Sequence, residues 1–307
     1  MKRSRARLIR LAVGVTLALA AVAATTALRR ARALPGTATR HLVVGGVSRT
    51  YLVHAGGGAK PGRPLVLVLH GWHGDAAGLE RRTRGTFDKL ADRDGAVIAY
   101  PQALGDPRWN DGWPVAAGAA APPDDVAFVA ALIDTLVAEL GVDRKRVFAA
   151  GLSNGAAMVY RLACERPELV AAVAPVSGTM SAPVAGACQR GAPVAIIAMH
   201  GTEDSIVPFD DRQQHDIATW VRRDGCPPQP ASSRLPDSDP RDGTRTRVDL
   251  YAPCAAGAAV AFYTIEGGGH AWPGGDTPWS FFRHGSTARD FDAAVVIWDF
   301  FKAHARR

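Results

Sequence analysis

Apolar and polar residues along this chain fall into blocks of two kinds. His41–His54 (HLVVGGVSRTYLVH) gives two strand-like runs around Gly45-Gly46, the pattern of a hairpin. Pro64–His70 and Ala96–Tyr100 are continuous apolar runs, as expected of strands buried on both faces. From Val126 onward, Val129, Leu132, Ile133, Leu136, Val137 and Leu140 recur at intervals of three and four. That spacing predicts an amphipathic helix, with Asp124-Asp125 at its start and Gly141 at its end. Arg146–Ala150 predicts a strand that leads directly into a helix over Asn154–Cys164. Val170–Val176, Val194–Met199 and Val260–Ile265 read as further strands, and Asp211–Arg223 and Arg289–Ala303 as helices. Cys226–Cys254 is rich in Pro, Asp, Ser and Arg and reads as a long surface excursion. Strands alternating with helices predict an α/β fold, a mostly parallel sheet with helices on both faces, over residues 34–307 as one domain.

Charge changes the picture mainly at the N-terminus. The whole chain of 307 residues has 36 Lys+Arg against 29 Asp+Glu, a formal charge of +7. Eight of the basic residues lie in residues 1–33, which contain no acid, leaving 28 basic against 29 acidic and a net of −1 for the remainder. The body is therefore not basic, which argues against a nucleic-acid partner. Leu11–Leu28 is an uncharged stretch between Arg10 and Arg29, followed by Ala31-Arg32-Ala33. This reads as a secretory signal with an A-x-A cleavage site, and alternatively as an uncleaved N-terminal anchor, the one arrangement that would bring in a membrane. The protein is accordingly expected to be secreted, and to act as a monomer. Cys164, Cys188, Cys226 and Cys254 are the four cysteines. In an exported chain they are disulfide candidates, and sequential pairing is the simplest of three connectivities. No pair has the C-x-x-C spacing of a zinc site.

The sharpest chemical signal is Gly151-Leu152-Ser153-Asn154-Gly155, a G-x-S-x-G placed between a predicted strand and a predicted helix. A tight strand-to-helix turn lifts the serine clear of the sheet, and the helix N-terminus favours developing negative charge. A serine hydroxyl needs a base and an orienting acid. Asp204 follows a predicted strand, with Glu203 as its rival and Asp210 and Asp211 as more distant acids. His270 follows the last predicted strand and three glycines. The order Ser, acid, His suits an α/β-hydrolase. His70-Gly71-Trp72-His73-Gly74, at the end of another strand, would supply one oxyanion donor from Trp72 N–H, with Asn154 N–H as the other.

These segments together resemble the secreted esterase/poly(3-hydroxybutyrate) depolymerase-like family of α/β-hydrolases, which includes feruloyl and acetylxylan esterases related to carbohydrate esterase family 1. The resemblance rests on LVLVLHGWHGD (65–75), AYPQ (99–102), RWNDGW (108–113), PDDVAFVAALID (123–134), DRKRVFAAGLSNGAAM (143–158), AVAPVSGTM (172–180), MHGTEDSIVPF (199–209) and IEGGGHAWPGG (265–275). It implies Ser153, Asp204 and His270 as the triad, aspartate rather than glutamate at the acid position, and the loop 70–74 as the oxyanion hole.

The expected activity is that of a serine carboxylic ester hydrolase working through an acyl-enzyme, with no metal and no organic cofactor. Feruloyl or acetyl esters of plant polysaccharide, or short hydroxyalkanoate esters, are the expected substrates. Acyl transfer to a sugar hydroxyl, or depolymerisation of hydroxybutyrate oligomers, are the alternatives. The chain shows no Thr/Pro-rich linker or polymer-binding module, which makes a solid polymer the less expected target. Trp72, Trp109, Trp113, Trp272 and Trp279 fall in predicted loops, and Trp113 and Trp272 are the candidate substrate-binding aromatics. Trp220 and Trp298, in predicted helices, are expected in the core.

Overall fold

The computed structural model describes residues 34, 36–57, 61–105, 107–114, 121–276 and 285–306, so the expected export segment 1–33 and Trp279 lie outside the described residues. Gly45 and Gly46, with φ of 57° and 79°, reverse the chain between β1 (Thr37–Val44) and β2 (Val47–Ala55), which pair antiparallel. Glycine adopts two successive left-handed conformations without the penalty other residues meet. β3 (Arg63–Leu69), β4 (Val97–Pro101), β5 (Val142–Leu152), β6 (Ala172–Val176), β7 (Ala195–Gly201) and β10 (Val260–Glu266) form the parallel centre of the sheet. All residues of β3, β4, β6 and β7 are buried, which accounts for their unbroken apolar runs.

The strand order is β1-β2-β4-β3-β5-β6-β7-β10-β9-β8. After β3 the chain goes to one side to make β4 and then crosses to the other to make β5. Such a switch opens a crevice at the C-terminal ends of the strands, where ligands of open α/β sheets bind. The helices are α1 (Ala76–Arg82), α2 (Thr86–Asp94), α3 (Asp125–Leu140), α4 (Asn154–Glu165), α5 (Ala182–Ala187), α6 (Asp211–Arg223) and α7 (Ala293–Ala303). α3 starts at Asp124, whose side chain accepts Ala127 N–H, and stops at Gly141 with φ 67°. α7 begins after Asp292, four residues later than the apolar pattern placed it, because the Asp292 side chain caps Ala294 N–H.

The segment 226–254 is corrected. It contains β8 (Ala231–Arg234) and β9 (Arg245–Tyr251), which extend the sheet antiparallel beyond β10. Two disulfides join Cys164 to Cys188 and Cys226 to Cys254, the sequential pairing. Trp220 and Trp298 are fully enclosed, as expected of core residues.

Candidate active site

Ser153 alone makes the turn from β5 into α4, with φ 58° and ψ −119°. A residue with a side chain held there costs on the order of 1–3 kcal/mol, and the surrounding packing enforces it. A Cβ on Gly151 would sit 2.3 Å from Gly155 O, and one on Gly155 would sit 2.3 Å from Leu69 O and 2.6 Å from His70 O. The two glycines of G-x-S-x-G are thus the price of a helix that starts hard against the ends of β3 and β5. Ser153 N–H donates to Val176 O at 2.9 Å, and Ser153 O accepts Ala157 N–H at 3.1 Å.

The loops after β7 and β10 are clamped together by backbone. Glu203 N–H donates to Gly268 O at 2.8 Å, and a Cβ on Gly201 would lie 2.2 Å from that same oxygen. This close approach carries Asp204 to His270. Asp204 Oδ2 accepts from His270 Nδ1 at 2.8 Å, while its Oδ1 accepts the N–H groups of Ile206 at 2.9 Å and Val207 at 2.8 Å. Both side chains are buried. Burial alone would raise the Asp204 carboxyl; hydrogen bonding from His200 and His270, the His270 charge and the Val207 N–H outweigh it and hold the group below the ordinary carboxylate range. Glu203 is exposed, and Asp210 is occupied in the capping box of α6 with Gln213, so neither competes for His270.

His200 is a buried neighbour of Asp204 that motif reading passes over. Its Nε2 lies 2.8 Å from Val207 O, an acceptor, so the proton is on Nε2, and that nitrogen also lies 3.4 Å from Asp204 Oδ2. It sits fully buried beneath the acid.

The loop 70–74 runs beside the serine: a Cβ on Gly71 would stand 3.8 Å from Ser153 Oγ. Gly74 N–H closes a turn onto Gly71 O at 3.0 Å, and His73 takes φ 58°. His70 braces this loop as a neutral ring. Its Nδ1 donates to Gly71 O at 2.8 Å, its Nε2 accepts Ala103 N–H at 3.1 Å, and burial pushes its pKa down. Among the described residues no group of three or more His, Cys, Asp or Glu is placed to hold a metal ion.

The RWNDGW segment ties the other side of the serine. Asn154 Oδ1 accepts Trp109 N–H at 2.7 Å, and Asn154 Nδ2 donates to Trp109 O at 3.2 Å and to Asp111 Oδ2. The Trp109 indole N–H donates to His70 O at 2.8 Å. Trp109 is therefore a buried strut between the loop 70–74 and Asn154.

Two openings meet at Ser153. A 180 Å³ cavity is lined by Ser153, His270, Gly71, Trp72, Asp75 and Arg82, among others. A 320 Å³ cleft is lined by Ser153, Asn154, Arg108, Trp113, Ile206 and Val207, among others. Trp72, Trp113 and Ile206 expose 52%, 42% and 47% of their surface and form an apolar rim. Trp113 is exposed and lines the cleft that holds Ser153. Trp272 does not: it is fully enclosed and packs edge-on against Phe87 at 6.0 Å between ring centres. Its expected role at the substrate is corrected to a core role, because no face of the ring is open.

The family model described as Esterase PHB depolymerase matches residues 49–200. NocK of Nocardia uniformis subsp. tsuyamanensis, a protein carrying an esterase name, is 32% identical over 89% of this chain and 84% of its own length. The chain belongs to the esterase PHB depolymerase family. Feruloyl esterase B of Piromyces equi is 27% identical over 72% of this chain, which spans 42% of that longer relative. The solved acetyl xylan esterase from Aspergillus awamori superposes with a TM-score of 0.61 at 15% identity, over 87% of this chain and 99% of its own, and shows the α/β-hydrolase type of fold. The PHB depolymerase-family chain is a carboxylic ester hydrolase.

Proposed function

We propose that this esterase is a secreted serine hydrolase in which Ser153 attacks the ester carbonyl, His270 is the base and Asp204 orients it. The observation that carries this reading is the buried Asp204–His270 pair opening onto the same cavity as the strained Ser153. His270 takes the Ser153 proton as the Oγ–carbonyl bond forms, then gives it to the departing alcohol oxygen as the ester C–O bond breaks. Water, activated by the same ring, releases the acid from Ser153. The N–H groups of Trp72 and Asn154 stabilise the tetrahedral oxyanion, each worth about 10²–10³ in rate. The His270 proton shuttle needs Nδ1 protonated, and the ionised Asp204 beside it favours that tautomer.

The aromatic rim of Trp72 and Trp113 suits a phenolic acyl group or a sugar face, which supports feruloyl or acetyl esters of plant polysaccharide and short hydroxyalkanoate esters as substrates. Export rests on the basic-apolar-A-x-A pattern of residues 1–33 together with two disulfides, which persist in oxidising compartments. Residues 34–307 then act as the catalytic domain. Ser153→Ala should abolish hydrolysis of p-nitrophenyl acetate and labelling by a fluorophosphonate; a variant that keeps wild-type turnover would overturn the assignment.

A further inference from the structure

Arg82 closes α1 and lines the 180 Å³ cavity shared by Ser153 and His270. Among the described residues its guanidinium has no hydrogen-bond acceptor and no carboxylate within 4.0 Å; Asp276, its nearest electrostatic influence, sits beside Arg84 instead. Burial pushes the Arg82 pKa down, with the Asp276 charge a smaller opposing effect. A part-buried guanidinium whose five donors meet no acceptor among the described residues is costly to hold, and an incoming anion relieves that cost. The other ionisable walls leave this role to Arg82. His70 has both ring nitrogens engaged within the protein, and Asp75 Oδ1 is held by Gly78 N–H at 2.6 Å as the cap of α1.

The two openings at Ser153 are not equivalent. His270 must reach the departing oxygen to protonate it. His270 lines the cavity that holds Arg82 and is absent from the walls of the 320 Å³ cleft. The alcohol part of the ester therefore belongs with Arg82, and the acyl part with Trp113 and Ile206. At 180 Å³ the alcohol side is below the range of about 300–1,000 Å³ usual for whole-ligand pockets, so it fits an alcohol of a few carbons.

We propose that Arg82 receives a free carboxylate on the alcohol part, so that the enzyme selects esters of short hydroxy acids. The inference rests on the Ser153–Asp204–His270 reading above. In the reaction the Ser153 Oγ–carbonyl bond forms, the bond from that carbonyl to the hydroxy acid oxygen breaks, and the His270 proton goes to the departing oxygen. The carboxylate stays ionised on Arg82 throughout and leaves with the hydroxy acid.

The test compares 3-acetoxybutyrate with its methyl ester, following acetate release at pH 7.5. The wild type should favour the free acid in kcat/KM on the order of ten- to a hundredfold, mainly through KM, the range of a charge-assisted hydrogen bond. Arg82→Gln should bring that ratio close to one, and Arg82→Lys should retain part of it. A wild-type ratio at or below one overturns the proposal even if neither variant folds, as does an Arg82→Gln variant that keeps the wild-type ratio. Hydrolysis of p-nitrophenyl acetate separates the two levels. If the wild type cleaves it through Ser153 but ignores the carboxylate, only the role of Arg82 fails. If the wild type does not cleave it, the triad reading fails as well.

Discussion

Replacing Asp204 by Asn changes no volume, yet the geometry gives it a large effect. Asp204 Oδ1 accepts two backbone N–H groups, from Ile206 at 2.9 Å and Val207 at 2.8 Å. An amide nitrogen cannot accept them, so the amide oxygen must stay at that position and the NH₂ must face His270. The imidazole then has to offer a lone pair at Nδ1, where it now donates to Asp204 Oδ2 at 2.8 Å. Its proton moves to Nε2, the nitrogen that should take the Ser153 proton. The variant also lacks the negative charge that stabilises the imidazolium. Loss of both through the wrong tautomer costs about 10⁴ in kcat in serine proteases, so about 10³–10⁴ is expected here, or about 4–5.5 kcal/mol of barrier.

The assay is initial rates on p-nitrophenyl acetate across neutral pH, alongside thermal unfolding of the same samples. Asp204 ionises below the usual range in the folded protein, so its contribution to stability is present above the unfolded carboxylate range and is lost as pH falls through the depressed value. Asp204→Asn therefore lowers the Tm at neutral pH, and rates are compared on the folded fraction. Glu203→Gln, at the exposed neighbour, should stay within about twofold of wild type. An Asp204→Asn enzyme retaining a tenth of its activity, or an equal loss in Glu203→Gln, would refute the role given to Asp204.

Other expectations follow from burial and charge. Trp272→Ala should cost about 3–5 kcal/mol of stability, read by urea unfolding, because the ring is enclosed. Trp113→Ala should leave the Tm nearly unchanged and raise KM for methyl ferulate more than for p-nitrophenyl acetate; the reverse pattern would restore Trp272 to the substrate site. Burial raises Asp216 to about 7 from 3.8 against the pull of the Met180 N–H, so the folded state holds a proton that the unfolded state gives up. Stability from this group falls as pH rises from about 4 to 7, and Asp216→Asn, whose Oδ1 can still accept the Met180 N–H, should gain on the order of 2 kcal/mol at pH 8 and almost nothing at pH 4. Cys164→Ser/Cys188→Ser and Cys226→Ser/Cys254→Ser each open a loop, with sequence separations of 24 and 28, and each pair should lose roughly 3.5 kcal/mol in urea unfolding.

The parallel centre of the sheet was legible because strands buried on both faces write themselves as apolar runs, and the serine turn because its glycines answer to backbone contacts. What was missed carried its information in polar residues. β9 buries Thr246, Val248 and Asp249, so its inward positions do not read as hydrophobic, and β8 (ASSR) is wholly exposed and held by its pairing to β9. α1 has seven residues and buries Glu80 alongside Leu79, too short and too polar for a helical period to show. α5 is six residues long with one buried side chain, Val184 apart from which it offers no apolar face. Trp272 lies two positions after a triad candidate, but closeness in sequence says nothing about which way a ring faces. His200 and the Asn154–Trp109–Asp111 contacts depend on three-dimensional pairing between segments 40 or more positions apart, or on the fold of a loop, and no local pattern encodes them.

The placement of these residues separates chemistry from selectivity, with one exception. Ser153, Asp204, His270 and the loop 70–74 all follow the C-terminal ends of β5, β7, β10 and β3, where backbone contacts at Gly151, Gly155 and Gly201 allow no added carbon. The walls come from elsewhere: Arg108 and Trp113 from the connection between β4 and α3, Ile206 and Val207 from the one between β7 and α6, and Arg82 from α1. Wall residues can change without moving the reacting groups, which is how one catalytic frame accommodates different esters. Asn154 breaks the separation. Its backbone N–H is the expected oxyanion donor, while its side chain is bonded to Trp109 and Asp111 within the wall segment. Residues 108–113 are therefore tied to the first turn of α4, and the segment that shapes the cleft also positions the proposed oxyanion donor.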